Sequence, residues 1–254
     1  MEAKRINELE NSYRASIQEY CQLDKSNQAI VKLLMRKDGT TPKFWNCVNI
    51  SNAERNILWT SINPSLGDET KGIPTFNMSW EEVAKEGYWG ELLNKISDVV
   101  DICGHMDLLP IHITDEDEVK SRFFTSDDSL ERKFISNLVI ATQNFIEELR
   151  PKLIIHSNAG SSFLWGLNRD KGWMGYTLQP ISLEAKISSG RIVNNKTQNS
   201  LFKITGVSEK SFIKTTNLIG CYLLIDYQVA RPEFREKSLK HDDVLKIWNE
   251  LKEK

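Results

Sequence analysis

Histidine and cysteine are scarce in this chain, four of each among 254 residues. Cys21, Cys47, Cys103 and Cys221 lie far apart, with no C-x-x-C pair and no histidine cluster beside them. That spacing argues against a zinc ribbon, an iron–sulfur cluster or a disulfide framework. No metal and no organic cofactor is expected, and Cys103 and Cys221, inside apolar runs, read as small buried hydrophobes. No apolar run approaches the ~20 residues of a membrane-spanning helix, so no membrane contact is expected. The opening residues "MEAKRINELENSYRAS" are polar, unlike a secretory signal, and a cytoplasmic location is expected. A surplus of one charge is also missing, since 33 Lys and Arg face 35 Asp and Glu for a net charge of -2. Binding to nucleic acid would therefore depend on a local basic patch. Neither a G-x-S-x-G elbow nor a phosphate-binding P-loop occurs, which disfavours a general hydrolase or a nucleoside triphosphatase.

What is present is a strand–helix alternation. Ile6, Leu9, Tyr13, Ile17 and Tyr20 recur at three- and four-residue steps, the period of an amphipathic helix. A second helical run, "NQAIVKLLMR", completes an N-terminal helical extension over residues 1–45. Four apolar runs then read as buried strands: "NILWTSI" (56–62), "DICGHMDLLP" (101–110), "KLIIHS" (152–157) and "LIGCYLLIDY" (218–227). Helical patterns separate or follow them over 79–100, 127–150 and 240–254. The first opens on Ser79 with Glu82 three residues later, a capping-box signature, and Pro151 ends the second. The expected fold is α/β over residues 46–254, a central four-stranded, mostly parallel sheet flanked by helices. Near-continuous apolar strands suit a sheet covered on both faces. Ligands of such sheets bind beyond the carboxyl ends of the strands.

One stretch breaks the alternation. Residues 185–216 are polar, with short β-like pieces, and carry six cations against one acid, Glu209. They read as a basic, β-rich insertion. Arg191, Lys196 and Lys203 are its candidate DNA contacts.

The order "INPS", "DLLP", "RPKLIIHSNAG", "ARPEF", each at a strand end, resembles the uracil-DNA glycosylase superfamily over roughly residues 50–254. The resemblance implies an enzyme that flips a base out of DNA and hydrolyses its N-glycosidic bond without a cofactor. In its terms Asn63 positions the attacking water. An amide can orient water but cannot take its proton, which suits a dissociating sugar cation. Phe76, 13 residues on, stacks on the flipped base.

The departures from that family are as informative. Where uracil-specific members carry an Asn on the second strand, this chain has Asp107. A carboxyl group suits the exocyclic amino group of cytosine, and if protonated by burial it can also donate to cytosine N3. Where relatives place a Tyr that blocks C5 of the pyrimidine, this chain has Ser65, which leaves room for a 5-substituent. Arg231 stands in the place of the family His that stabilises the departing base, and Phe234 is a candidate wedge, with Arg235 beside it on the DNA. Asn158, Gly160, Ser161 and Ser162 are candidate phosphate contacts at a helix start. His156 reads as a buried structural residue, and the nearness of His105 and His112 to Asp107 is discounted as a metal site.

The expectation is thus a monofunctional glycosylase of a 5-modified cytosine, for example glucosylated hydroxymethylcytosine of phage DNA, with a role in antiviral defence. The alternatives are a repair glycosylase for uracil or another deaminated base, and a catalytically inactive module that binds nucleic acid or a protein.

Overall fold

The computed structural model describes residues 2–23, 47–62, 77–83, 87–111, 121, 124, 130–157, 159–167, 172–183, 201–226 and 238–254. Its contacts separate two compact units, one of Met1–Cys47, Ile62–Asn77 and Asp107–Phe145, the other of Val48–Ser61, Met78–Met106 and Ile146–Lys254.

In the first unit, helix α1 (Glu2–Leu23) buries Leu9, Tyr13, Ile17 and Tyr20, the stripe that its sequence period selects. The helix over Leu130–Leu149, α3, receives that stripe. Tyr20 stacks on Phe134 with ring centroids 4.5 Å apart, and the Tyr13 hydroxyl hydrogen-bonds the Thr142 hydroxyl in the interior. Leu109 N–H donates to the Ile62 carbonyl at 2.8 Å, tying together the chain just beyond two strand ends.

The sheet has eight strands, mixed but mostly parallel: β1 (Cys47–Val48), β2 (Ile57–Ser61), β3 (Asn77–Met78), β4 (Cys103–Asp107), β5 (Leu153–His156), β6 (Tyr176–Pro180), β7 (Leu201–Val207) and β8 (Tyr222–Ile225). Their order is β3-β1-β4-β2-β5-β8-β7-β6. β2, β5 and β8 run parallel, with Thr60 opposite His156 and His156 opposite Ile225. β7 is antiparallel to both β8 and β6.

The expected α/β class stands, and the expected four strands form the contiguous centre β4-β2-β5-β8. The count of four is corrected to eight. β1 and β3 have two residues each, too few for any pattern. β6, "YTLQP", ends in a proline, which a sheet tolerates at its edge. β7 comes from the polar stretch 185–216, yet it buries Leu201, Phe202 and Ile204 between β8 and β6.

Two boundaries also move. The fourth apolar run begins with a turn at 218–221, where Gly220 has φ +92°, before β8 starts. The helix expected from residue 79 is α2, Gly87–Ile96, followed by a 3-10 segment, Ser97–Ile102. The Ser79–Glu82 signature does form its hydrogen bond, Ser79 N–H to Glu82 Oε2 at 2.7 Å, but within a turn. Trp80 explains why. Its backbone N–H donates to Asn49 Oδ1 and its indole N–H to the Cys103 carbonyl, pinning the turn to its neighbours.

Close approach fixes one strand residue. A Cβ on Gly104 of β4 would sit 2.7 Å from the Asn49 carbonyl oxygen, so only glycine lets residues 49–53 lie against that strand. The closing helix α4, His241–Leu251, packs against α2. Among the described residues no helix is long and apolar enough to cross a membrane.

Candidate functional site

The topology selects where to look. From β2 the chain passes to the β4 side of the sheet, and from β5 it passes to the β8 side. The switch point therefore lies between β2 and β5, and the crevice beyond their carboxyl ends is where a doubly wound sheet takes a ligand. The last residues there are Thr60 and Ser61 on β2, and His156 with the following Ser157 on β5.

These side chains form two hydrogen-bonded groups. Inward, His156 is fully buried, with Nδ1 2.9 Å from Thr60 Oγ1 and Nε2 2.8 Å from Ser161 Oγ. Both nitrogens are thus engaged by hydroxyls, and the structural reading of His156 fits this geometry. Backbone bonds from Ser157 N–H to the Thr60 carbonyl and from Asp226 N–H to the His156 carbonyl, both 2.8 Å, hold the three parallel strand ends level.

Outward, half-buried Ser61 is the hub. Its Oγ lies 2.7 Å from the Tyr88 hydroxyl on α2, 3.3 Å from Ser157 Oγ and 3.5 Å from His105 Nε2 on β4. Tyr88 is itself 3.4 Å from that nitrogen, and the Trp89 ring meets the His105 ring edge-on at 4.9 Å. Burial lowers the His105 pKa to about 3, so its imidazole is neutral near pH 7 and a poor base. Three hydroxyls and a neutral imidazole can orient a polar ligand through hydrogen bonds. They cannot supply strong general-base catalysis.

Within the first unit, Asp107 ends β4 at 3% exposure. Removal from water pushes its carboxyl pKa well above the ordinary value, favouring the neutral acid. The Cys47 thiol is raised too, first by burial and then by the field of Asp107. Cys103 and Cys221 are buried as expected, and all four cysteines are free thiols.

The remaining candidates divide sharply. Asn63, Ser65, Phe76, Asn158, Arg191, Lys196, Arg231, Phe234 and Arg235 lie outside the described residues, as do His112 and the "NQAIVKLLMR" helix. Gly160, Ser161 and Ser162 fall in a 3-10 helix, Ala159–Trp165. Gly160 is exposed, whereas the Ser161 hydroxyl is buried against His156 and that of Ser162 donates to the Ala159 carbonyl at 2.8 Å. Lys203, half-buried on β7, holds its ammonium 5.6 Å over the Tyr222 ring, a cation–π contact.

One group among the described residues has metal-ligand chemistry: Asp98, His241 and Asp242, all exposed. His241 Nδ1 is already 2.7 Å from Asp242 Oδ1, and its Nε2 is 2.6 Å from Ser97 Oγ. The hydrogen bond to Asp242 raises the His241 pKa, which stabilises the protonated ring rather than the neutral form a metal needs.

Ser61, Tyr88, Lys95 and the pairing of Lys95 with Asp226 were missed from sequence. Ser61 was absorbed into a strand pattern, and Tyr88 meets it only through folding. Lys95 did leave a signal, because it falls on the same helical stripe as Leu92 and Ile96, where a charge is unusual.

No family model matches the chain, and no curated protein matches it.

Proposed function

We propose that the protein is a monofunctional DNA glycosylase that excises a modified pyrimidine, most specifically a 5-substituted cytosine. The observation that carries this reading is the state of Asp107. In a carboxyl group buried to 3% exposure, desolvation drives the pKa up and favours the neutral acid, which is both a hydrogen-bond donor and an acceptor. That pattern is what cytosine presents to be matched, an acceptor at N3 beside a donor on the exocyclic amine. An ionised carboxylate would offer acceptors alone. The strand-end location of Asp107 in an α/β sheet is where such a fold takes ligands, which supports the reading further.

In this reaction the C1′–N1 bond breaks and its electron pair leaves with the base. Water oxygen then adds to C1′, and the proton it sheds balances the charge on the base. Asn63 orients that water, Phe76 stacks on the extruded ring, and Ser65 leaves space at C5. Arg231 stabilises charge on the departing base, with a hydrogen bond to a charged group worth roughly 1.5–3 kcal/mol. The chemistry needs positioning more than basicity.

The test is abasic-site formation on duplexes that carry cytosine, 5-hydroxymethylcytosine, its glucosylated form, or uracil. Release of a 5-modified cytosine, abolished by Asn63→Ala, is expected. Release of uracil alone would replace this reading with deaminated-base repair. Binding without any abasic sites, unchanged by Asn63→Ala, would leave a binding module.

A further inference from the structure

The end of β2 deals its side chains to two faces, as the strand period of two requires. Thr60 joins the buried group of His156 and Ser161, and Ser61 points the other way, toward β4 and α2. There four polar atoms from four parts of the chain converge. They are Ser61 Oγ, Ser157 Oγ just past β5, His105 Nε2 on β4 and the Tyr88 hydroxyl in the first turn of α2. Ser157 and His105 are buried and form a polar floor, whereas Ser61, Tyr88 and the neighbouring Trp89 are half-buried.

The protons available to this group decide what it can bind. Ser61 Oγ lies 2.7 Å from Tyr88, 3.3 Å from Ser157 and 3.5 Å from His105, and Tyr88 lies 3.4 Å from His105. Each of these four contacts takes one proton. Three hydroxyls supply three, and the imidazole supplies a fourth only in the tautomer with hydrogen on Nε2. In either tautomer no proton is left to point outward, so the group offers a ligand its lone pairs.

An anion is therefore a poor occupant. It needs donors, and burial keeps the His105 ring neutral, so the group has no charge to offset that of the ligand. A DNA phosphate, with no proton to give at neutral pH, is set aside on both counts. The complement is a neutral ligand rich in O–H groups. Trp89, edge-on to His105 at 4.9 Å and to Tyr88 at 5.2 Å between centroids, adds an aromatic flank. An apolar wall beside a few convergent polar groups is the make-up of a small-ligand site.

We propose that Ser61, Ser157 and Tyr88, backed by His105, form a subsite for a neutral sugar and hold it by accepting hydrogen bonds from its hydroxyls. The subsite stands on its own geometry. Naming the sugar rests on the glycosylase reading, in which it is a hexosyl group carried on C5 of the target cytosine. These side chains then set specificity and take no part in breaking the glycosidic bond.

The test titrates the protein with methyl α-D-glucopyranoside and, separately, with inorganic phosphate, following the His105 and Trp89 ring signals by NMR. The sugar is expected to shift them in a saturable way and phosphate to leave them in place. Ser61→Ala and Tyr88→Phe each delete one oxygen and otherwise keep shape, and each should weaken sugar binding about three- to tenfold. No response to the sugar, a response to phosphate instead, or unchanged sugar affinity in both folded variants would overturn the proposal. In excision assays the same variants should lose about three- to tenfold in kcat/KM on glucosylated hydroxymethylcytosine relative to 5-hydroxymethylcytosine. If the wild type excises no base at all, the glycosylase reading has failed, and the sugar titration alone then decides whether the subsite exists.

Discussion

The carboxyl half of β4 and the first turn of α4 each carry a histidine and an aspartate, and the two regions treat them in opposite ways. On β4, burial lowers His105 to about pKa 3 and raises Asp107 well above its ordinary value. On α4, the His241–Asp242 hydrogen bond raises the histidine and lowers the aspartate. The same residue types are thus pushed toward their neutral forms in one place and toward their charged forms in the other. Desolvation penalises whichever form carries charge, whereas a solvated hydrogen bond between opposite charges rewards both. A strand end that holds its titratable groups neutral suits the recognition of an uncharged ligand edge. The charged pair on α4 suits a helix start exposed to water.

The largest effect that can break this contrast is at His105. Its folded pKa lies below its ordinary value of 6.5, so the unfolded chain binds the proton first. Its contribution is fully present above pH 6.5 and is lost as pH falls to about 3. At about 1.4 kcal/mol per pKa unit, the upper bound is on the order of 5 kcal/mol. Urea midpoints measured across that range for the wild type and His105→Gln should show a shallower acid slope in the variant. Equal slopes would mean that His105 takes up its proton over the same pH range folded as unfolded.

Asp107→Asn has the reverse sign and a smaller size. Because the folded carboxyl pKa is raised, the wild type loses stability as pH climbs from the ordinary aspartate value through the raised one. Asparagine has no proton to lose. The variant is therefore expected to be more stable than the wild type by about 1–3 kcal/mol at pH 8, with the gain gone near pH 3. On the glycosylase reading it should also shift preference from cytosine toward uracil, because an amide can donate to uracil O4 while its oxygen accepts from N3–H. A gain in stability accompanied by a loss of the original specificity would mark Asp107 as a residue kept for function. Destabilisation at pH 8 would instead show a carboxylate satisfied in its ionised form.

Tyr88→Phe sharpens the comparison from the neutral side. It removes the hydroxyl 2.7 Å from Ser61 without touching a charge. The expected loss is about 0.5–1.5 kcal/mol, and it should be the same at pH 6 and pH 8. A loss that grows with acidity would mean that the hydroxyl is coupled to the His105 proton.

How much of this was legible beforehand depended on the range of the forces involved. The four central strands, α1 and the closing helices were readable because apolar periodicity is local; Leu9, Tyr13, Ile17 and Tyr20 are buried as their spacing required. β7 lies in the stretch read as β-rich, but its place in the main sheet was not legible, because Leu201, Phe202 and Ile204 sit among polar residues and pairing with β8 is non-local. The Ser79–Glu82 signature showed a hydrogen bond correctly and a helix incorrectly, since Asn49 and Cys103 hold Trp80 from elsewhere in the chain. Asp107 was singled out by its place in the resemblance to the glycosylase family, and its protonation by burial followed from chemistry. Ser61, Tyr88 and His105 converge from three elements, and no local pattern joins residues so far apart. Lys95 was detectable only as a charge on an apolar stripe, without any indication of Asp226, 131 positions away.

The smallest expected effect completes the contrast at His241. Here the folded pKa is above the ordinary 6.5, raised first by the hydrogen bond to Asp242 and then helped by Asp98. A raised histidine stabilises the fold fully below its unfolded pKa and loses that contribution as pH rises through the folded value. The side chain is largely in water, so screening keeps the effect small and salt should reduce it further. His241→Gln should therefore cost a little at pH 6 and nothing at pH 9, with the difference shrinking in high salt. Chelator and added zinc should change neither midpoint, since the protonated ring is committed to two carboxylates and a serine hydroxyl. If zinc raised the wild-type midpoint but not that of His241→Gln, the three side chains would be a metal site after all, and the charged region would owe its character to a cation rather than to a proton.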